Sequence, residues 1–252
     1  MLLLLLNILL VPTLIALLTL AGRRWGPTVA GWLSGFPVVA GPLLLMIGIE
    51  QGPLFAAQAA KTSLSAVLAN LSFSIAYSWG APHFRWYVCL FLGMLGFAAA
   101  GTLLTVFPLP LWTALIVTLV GLLAAPYLFP RTGAFAPPSG APSALELPVR
   151  MIAGAVLCVS VTMFARRVGP TFSGLFSVFP VVSLVFAVFS HLTWGAAGTI
   201  KLLSGMVRGF FAFAVFCLAV ALAVPGWGLG AGFLAALACA LPVQAASFRR
   251  PN

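Results

Sequence analysis

The stretch RRWGPTVAGWLSGFPVV at residues 23–39 returns as RRVGPTFSGLFSVFPVV at residues 166–182. Eleven of the seventeen positions are identical without a gap. Bias toward Leu and Ala would make those residues coincide by chance, but not RRxGPT and FPVV in one register. The same offset of 143 residues pairs further positions: Gly52 with Gly195, Ala69 with Ala212, and Phe73 with Phe216. The chain therefore carries a duplicated unit.

The composition places this unit in lipid. Of 252 residues, 63% are hydrophobic and 6% are charged, and the only acidic residues are Glu50 and Glu146. A soluble domain needs about a quarter of its residues charged to cover its surface. We therefore predict an all-α polytopic membrane protein whose main partner is the lipid bilayer.

The twelve Lys and Arg residues give a net charge of +10. Most stand singly or in pairs at the ends of apolar runs, which is typical of topology determinants and lipid-headgroup contacts rather than of nucleic-acid binding. The four cysteines lie inside apolar runs without CxxC or Cys/His spacing, so we expect small hydrophobic residues and no metal site.

About 20 apolar residues span a bilayer, and cuts at charges and Pro-rich joints predict nine spans. Their ranges are 2–22, 28–49, 54–78, 86–106, 110–129, 148–165, 171–192, 196–223 and 227–246. The first resembles a signal peptide but lacks a basic n-region and has a counterpart in mid-chain, so we expect a mature helix. The predicted organisation is a first four-helix repeat at 1–106, a linker helix with a Pro-rich loop at 107–147, and a second repeat at 148–252.

The orientation of the repeats depends on how many spans separate them. Five predicted spans lie between equivalent points, and an odd number inverts the second copy. With the N-terminus outside, the loop arginines fall inside except Arg166 and Arg167. The positive-inside rule therefore favours inverted over parallel repeats.

Each copy contains Gly-x-x-x-x-Phe-Pro, then a hydrophobic span, then a Gly before a helix of small residues. This pattern resembles that of the GlpM-like bacterial inner-membrane proteins. The pattern occurs at Gly31, Phe36-Pro37 and Gly52, and again at Gly174, Phe179-Pro180 and Gly195. Proteins of that family are about half this length, so each half of the chain resembles one unit of four helices. The resemblance implies a bacterial inner-membrane location and a connection with envelope polysaccharide production, but no reaction.

Proline inside a span removes one backbone hydrogen bond and frees a carbonyl one turn earlier. We predict helix breaks at Pro37, Pro42 and Pro180. A freed carbonyl must face protein or a water-filled cavity, and broken helices meeting at the midplane are the usual construction of a transporter's substrate site. The alternative is a packing kink.

Polar residues at spacings of three and four mark the helix that follows each FP motif. The predicted solute-binding residues are Gln58, Lys61 and Ser65 in the first copy, with Lys201, Ser204 and Arg208 at the equivalent positions of the second. Such cations predict a cavity for an anionic or carboxylate-bearing solute. The alternatives are snorkelling of the lysines to headgroups and pairing of Arg208 with freed carbonyls.

A second polar stripe on the same first-copy helix consists of Ser63, Asn70, Ser74 and Tyr77. Two stripes indicate a helix enclosed by others, through interhelical hydrogen bonds. His191, near the end of the second FP helix, has a weak potential for pH sensing. Glu50, near the corresponding end of the first, is a candidate partner for Lys61 or a headgroup-level acid.

The absence of Asp excludes carboxylate clusters for Mg²⁺, and neither His83 nor His191 lies in an HExxH context. We expect no enzyme and no cofactor. The leading hypothesis is a transporter for an anionic metabolite or a lipid-linked anion, with a cavity at Pro37 and Pro180 lined by Lys61, Ser65, Ser204 and Arg208. The rival is a non-transporting inner-membrane subunit of envelope polysaccharide machinery, packed solid there. A homo-oligomeric channel would need a continuous polar face.

Overall fold

The computed structural model describes residues 2–37, 40–133, 145–168 and 180–248, and these residues form helices and turns with no strand among them. The all-helical prediction is confirmed. The helices are α1 (Leu2–Trp25), α2 (Pro27–Ser34), α3 (Ala40–Gln51), α4 (Pro53–Gly80), α5 (Trp86–Val106), α6 (Leu111–Leu128), α7 (Glu146–Val168) and α8 (Val181–Phe248).

Glycines with positive φ divide the chain where the sequence predicted joints. Within α8 the backbone is non-helical at Gly195 (φ 65°) and Gly228 (φ 77°), which separates segments α8a (181–194), α8b (196–227) and α8c (229–248). Gly26 (φ 90°) and Gly52 (φ 95°) divide α1 from α2 and α3 from α4 in the same way. Only glycine adopts this conformation without strain. Gly52 and Gly195 are partners in the duplication, so the two copies bend at equivalent residues.

Several helix bounds agree closely with the predicted spans. The span predicted at 86–106 is α5, and the span predicted at 110–129 is α6. Among the described residues, three helices (α5, α6 and α8) are long and apolar enough to cross a membrane. Large apolar side chains such as Phe91 on α5 and Ile116 on α6 are more than half exposed. Such side chains are stable facing hydrocarbon, and the chain is a helical membrane protein.

Helices α1 and α7, which are counterparts in the duplication, pack in opposite directions. Arg23, near the end of α1, forms an ion pair of 2.9 Å with Glu146 at the start of α7. Further along, Gly154 of α7 packs on Ile15 and Val11 of α1. Residue numbers therefore rise along one helix as they fall along the other. We call the end of the bundle that holds this ion pair the Arg23 end and the opposite end the Gly52 end.

Helices α4 and α8b, also counterparts, likewise run in opposite directions. The Ser183 hydroxyl of α8a donates to Asn70 Oδ1 of α4 at 3.3 Å, and the Tyr77 hydroxyl of α4 lies 3.3 Å from His191 Nδ1 of α8a. Helix α4 is therefore parallel to α8a. Because the chain turns back after α8a and Ser183 also contacts Met206 of α8b, α8b is antiparallel to α4.

The short helix α2 crosses α8b with direct contact between backbones. Gly31 of α2 lies against the backbone of Leu202 and Met206, and Gly205 of α8b lies against the backbone of Thr28. Gly35, the residue after α2, packs on Gly209, and a methyl group built on any of these four glycines would collide with backbone atoms of the other segment. Each helix thus supplies a small-xxx-small pair, which lets two helices approach closely in lipid. This contact joins the first copy to the second.

Gly209→Ala should destabilise the fold by about 1–3 kcal/mol, because the added methyl has only rigid backbone to displace. The control is Gly230→Ala in α8c, where an added Cβ meets nothing within 4 Å and helix propensity favours Ala. Thermal unfolding in detergent measures both variants. Equal unfolding temperatures for them would contradict the close contact.

Candidate functional site

The span predicted at 28–49 is two half-helices. Helix α2 ends at Ser34 and α3 begins at Ala40, with buried Pro37 between them. The Leu33 carbonyl, which the proline was predicted to free, accepts a hydrogen bond from the Phe36 amide at 3.2 Å. A tightened last turn therefore satisfies that group within the chain.

Each FP proline accepts a hydrogen bond from the amide four residues later. The Pro37 carbonyl accepts from the Gly41 amide at 2.8 Å, and the Pro180 carbonyl accepts from the Leu184 amide at the same distance. These two hydrogen bonds are equivalent in the duplication. Pro42, in contrast, lies in the first turn of α3, where proline is tolerated because its missing amide has no intrahelical partner. The other residues of the second FP motif, at 171–179, lie outside the described residues.

A cavity of about 110 Å³ lies beside the break between α2 and α3. Its walls come from α1, the end of α2, α3, α4 and both arms of the hairpin α8a–α8b. The lining residues are Leu18, Ser34, Gly35, Phe36, Ala40, Ser63, Val67, Asn70, Val182, Phe210 and Phe213. The described lining is mostly apolar, and its polar side chains are two hydroxyls and one carboxamide.

Those polar groups are already oriented by the helices. The Ser34 hydroxyl donates to the Gly31 carbonyl at 2.7 Å, and Asn70 Nδ2 donates to the Ala66 carbonyl at 3.3 Å. Asn70 Oδ1 accepts from Ser183 of the second copy. A solute in the cavity would therefore meet Ser34 and Asn70 side chains that are already hydrogen-bonded to the protein. The Ser63 hydroxyl, in contrast, has no hydrogen bond to the described residues.

The lining of this cavity uses the second polar stripe of α4, not the predicted cationic one. Ser63 and Asn70 line it, whereas none of the six predicted solute-binding residues is among its described lining residues. Gln58 is exposed, and Lys61 and Ser65 are half-buried. Because 100° of helical rotation separates successive residues, Lys61 points about 160° away from Ser63.

The predicted solute-binding residues of the second copy lie on successive turns of α8b. Lys201, Ser204 and Arg208 are half-buried, and the Ser204 hydroxyl donates to the Lys201 carbonyl at 3.1 Å. Arg208 directly precedes Gly209, which packs on Gly35 at the end of α2. Of the predicted cations, Arg208 therefore lies level with the first helix break.

Two clusters of buried polar side chains were not predicted from the sequence. The first is Gln244 on α8c, 6% exposed, whose Nε2 donates to the Trp32 carbonyl at 2.9 Å. The Trp32 indole N–H in turn contacts the Ser247 hydroxyl at 3.0 Å. The bond from Gln244 satisfies a carbonyl that the early end of α2 leaves without a helical partner. No periodic signal in the sequence pairs residues so far apart.

The second missed group is an ion network at the Arg23 end. Arg150 is 1% exposed and donates to Glu146 and to the Thr193 hydroxyl, the latter at 3.1 Å. The rings of Phe189 and Trp194 flank its guanidinium at 5.3 and 5.9 Å. Within the described part of the chain, Nε and Nη1 have no partner. The spacing of four between Glu146 and Arg150 was a usable signal.

No three His, Cys, Asp or Glu side chains among the described residues are grouped so that they could hold a metal ion. The four cysteines are free thiols. Glu50 lies at the Gly52 end and Glu146 at the Arg23 end, so the two carboxylates are separated by the length of the bundle.

Comparison of the chain with protein-family models, with curated proteins and with solved structures found no match. The resemblance to GlpM-like proteins stays a prediction.

Glu146→Ala should destabilise the protein by about 3–5 kcal/mol, because it leaves the buried Arg150 cation without a counter-charge. Glu50→Ala, which removes the other carboxylate from an exposed site, should change stability by less than about 0.5 kcal/mol. Denaturation in detergent measures both.

The double variant Glu146→Leu with Arg150→Met should recover much of the loss, since it removes both buried charges. A double variant as unstable as Glu146→Ala would mean that the ion network is not what stabilises this end.

Proposed function

We propose that the protein is a multi-pass transporter of the bacterial inner membrane, built from two inverted repeats of four helices and a linker helix. The opposite directions of α1 and α7, and of α4 and α8b, support the inversion. With α2–α3 counted as one interrupted span and the second FP segment counted as one span, the chain would cross the membrane nine times. Helix α6 would be the linker span between the repeats.

The observation that carries the proposal is the cavity at the break between α2 and α3. Residues of the first repeat and of the second, Val182, Phe210 and Phe213, enclose it together. Helices interrupted near the midplane at the contact between inverted repeats are how secondary transporters form their substrate sites. A change in how the repeats pack would alter this cavity directly.

The positive charges on α4 and α8b support an anionic solute as the cargo. Arg208 is half-buried and level with the break, and a cation within a span is costly unless it faces protein or water. Lys201 adds positive charge on α8b, and Lys61 adds it on the side of α4 that faces away from the cavity. We place the solute path between the cavity and Arg208, with a small carboxylate or a lipid-linked anion as cargo.

Catalysis is not part of the proposal. The two carboxylates stand at opposite ends of the bundle, and Glu146 is held between Arg23 and Arg150. Metal-dependent transfer and hydrolysis use clustered carboxylates, and one side chain at each end cannot supply them.

The alternative is a non-transporting membrane subunit of envelope polysaccharide machinery. One observation favours it: about 110 Å³ is less than the roughly 300–1,000 Å³ typical of small-molecule sites. In the described conformation the cavity has room for water molecules or a very small solute. Transport of a larger metabolite therefore requires helix movement, whereas a scaffold requires none.

Cysteine accessibility separates the two functions. In a chain with its native cysteines replaced by alanine, Ser63→Cys should react with a small water-soluble maleimide, because a transport cavity is hydrated during the cycle. The matched control is Ser78→Cys on the same helix, where the side chain is fully buried; it should react at least about tenfold more slowly, as expected for a group reached only by local opening.

Anionic solutes should slow the labelling of Ser63→Cys, and their neutral amides should not. A panel of small carboxylates and sugar phosphates provides this readout. Equal, negligible labelling at both positions would support the scaffold, and protection by neutral solutes alone would contradict the anionic class.

A further inference from the structure

The interface between α4 and α8a is polar from the Arg23 end to the cavity. Tyr77, Ser74 and Asn70 follow one another on α4 at spacings of three and four residues. Across from them, His191 lies 3.3 Å from the Tyr77 hydroxyl, and Ser183 donates to Asn70. Asn70 itself lines the cavity. A titratable ring near one end of the bundle is thus connected to the candidate solute site along one helix face.

The Tyr77 phenol has two alternative partners. Its oxygen lies 3.3 Å from His191 Nδ1 and 3.4 Å from the Ala187 carbonyl oxygen. The side chain is fully buried, so its hydrogen must be donated to one of these two acceptors. Which acceptor receives it depends on whether Nδ1 carries a proton.

Histidine is the residue type whose charge ordinarily changes between pH 5 and 8. Among the described residues, the other candidates for a proton site are poorly placed. Glu50 is exposed at the Gly52 end, His83 is exposed in the turn after α4, and Glu146 is engaged by two arginines. His191 is half-buried at the contact between the two repeats.

Among the described residues, Tyr77 is the titratable group that contacts His191. The Cys89 thiol of α5 donates to the Phe84 carbonyl at 3.5 Å. Arg150 of α7 contacts Phe189 and Thr193, which lie about 160° around α8a from His191. Glu146 accompanies Arg150 on that opposite side, and Arg23 of α1 reaches the same carboxylate.

The hairpin partner α8b faces this region with neutral groups. The Thr199 hydroxyl meets the Ser190 hydroxyl at 3.4 Å. Lys201, two residues later, lies about 160° around α8b from Thr199.

We propose that His191 is the proton-binding residue that couples a proton to the transport cycle, with Tyr77 transmitting its protonation state to the contact between α4 and α8a. The proposal rests on the proposed transporter function and names its coupling ion. His191 takes its proton from the aqueous phase at the Arg23 end, four residues from the turn at Gly195.

Protonation of His191 changes which hydrogen bonds the Tyr77 hydroxyl makes. In the proposed neutral state the ring carries its hydrogen on Nε2, so Nδ1 accepts the phenol hydrogen and the Ala187 carbonyl loses that donor. When His191 is a cation, Nδ1–H donates to the phenol oxygen and the phenol hydrogen turns to the Ala187 carbonyl. Protonation therefore adds one hydrogen bond between α4 and α8a, and the two repeats hold together more strongly on this side.

The test uses the Ser63→Cys reporter in the full-length chain, reconstituted in lipid nanodiscs. Its maleimide labelling is measured at about pH 5.5 and about pH 8, on either side of a histidine titration. The ratio of the two rates is compared with the ratio for the same thiol in a His191→Gln background, which cancels the thiol's own pH dependence. His83→Gln, which removes the other histidine, is the matched control.

The ratio in the native background and in His83→Gln should differ from that in His191→Gln by about threefold or more, as expected for a modest population shift. Tyr77→Phe, which keeps the ring but removes the hydroxyl, should abolish the difference in the same way. In proton–carbon NMR spectra, the single histidine of His83→Gln should titrate between about pH 5 and 8.

The outcomes are separable. A Ser63→Cys thiol that reacts with the same rate ratio in all backgrounds overturns the proton site and leaves the transporter proposal standing. A thiol that reacts at no pH overturns both, because the coupled cavity does not exist. A His191 resonance that does not titrate also overturns the proton site, and Tyr77→Phe decides the matter if His191→Gln fails to fold.

Discussion

An eight-residue helix is not stable by itself in a bilayer, and the rest of the structure depends on the contacts that fix α2. Two turns of helix are too short to be stable alone, and their unpaired carbonyls cannot face lipid. Close backbone packing at Gly31 and Gly205, and between Gly35 and Gly209, fixes α2 against α8b. Gln244 then supplies the hydrogen bond that the early end of the helix lacks. With α2 held in this way, the chain can break at Pro37 and leave a cavity there.

Much of the fold could be predicted because lipid imposes simple rules on sequence. Apolar runs bounded by arginine and Gly-Pro steps predicted α5 and α6 to within a residue, and the glycine joints at Gly52 and Gly195. The interruption at 35–37 was predicted from the proline alone. What periodicity could not give is which face of a helix its neighbours enclose, because two polar stripes on α4 look equally suitable in the sequence. The cavity uses the stripe with Ser63 and Asn70.

The contacts that sequence could not supply are those between residues far apart in the chain. Trp32 with Gln244, and Arg23 with Glu146, join segments separated by most of a repeat or more. A single chain shows no covariation between such positions, and each residue is unremarkable in its local context. The burial of Arg150 was also missed, since an arginine near a span end is ordinarily expected at the headgroups. Its neighbours Phe189 and Trp194 come from a helix that local reasoning does not bring there.

Both the transport function and the proton site depend on the two repeats lying in opposite directions across the membrane. The most direct measurement is the sidedness of the two Arg-Arg pairs, with Arg24→Cys and Arg167→Cys labelled by a membrane-impermeant maleimide in intact spheroplasts and in inverted vesicles. Inverted repeats predict that Arg167→Cys reacts only in spheroplasts and Arg24→Cys only in inverted vesicles. Reaction of both thiols from the same side would contradict the inversion, and the cavity could then no longer be the meeting point of opposed repeats.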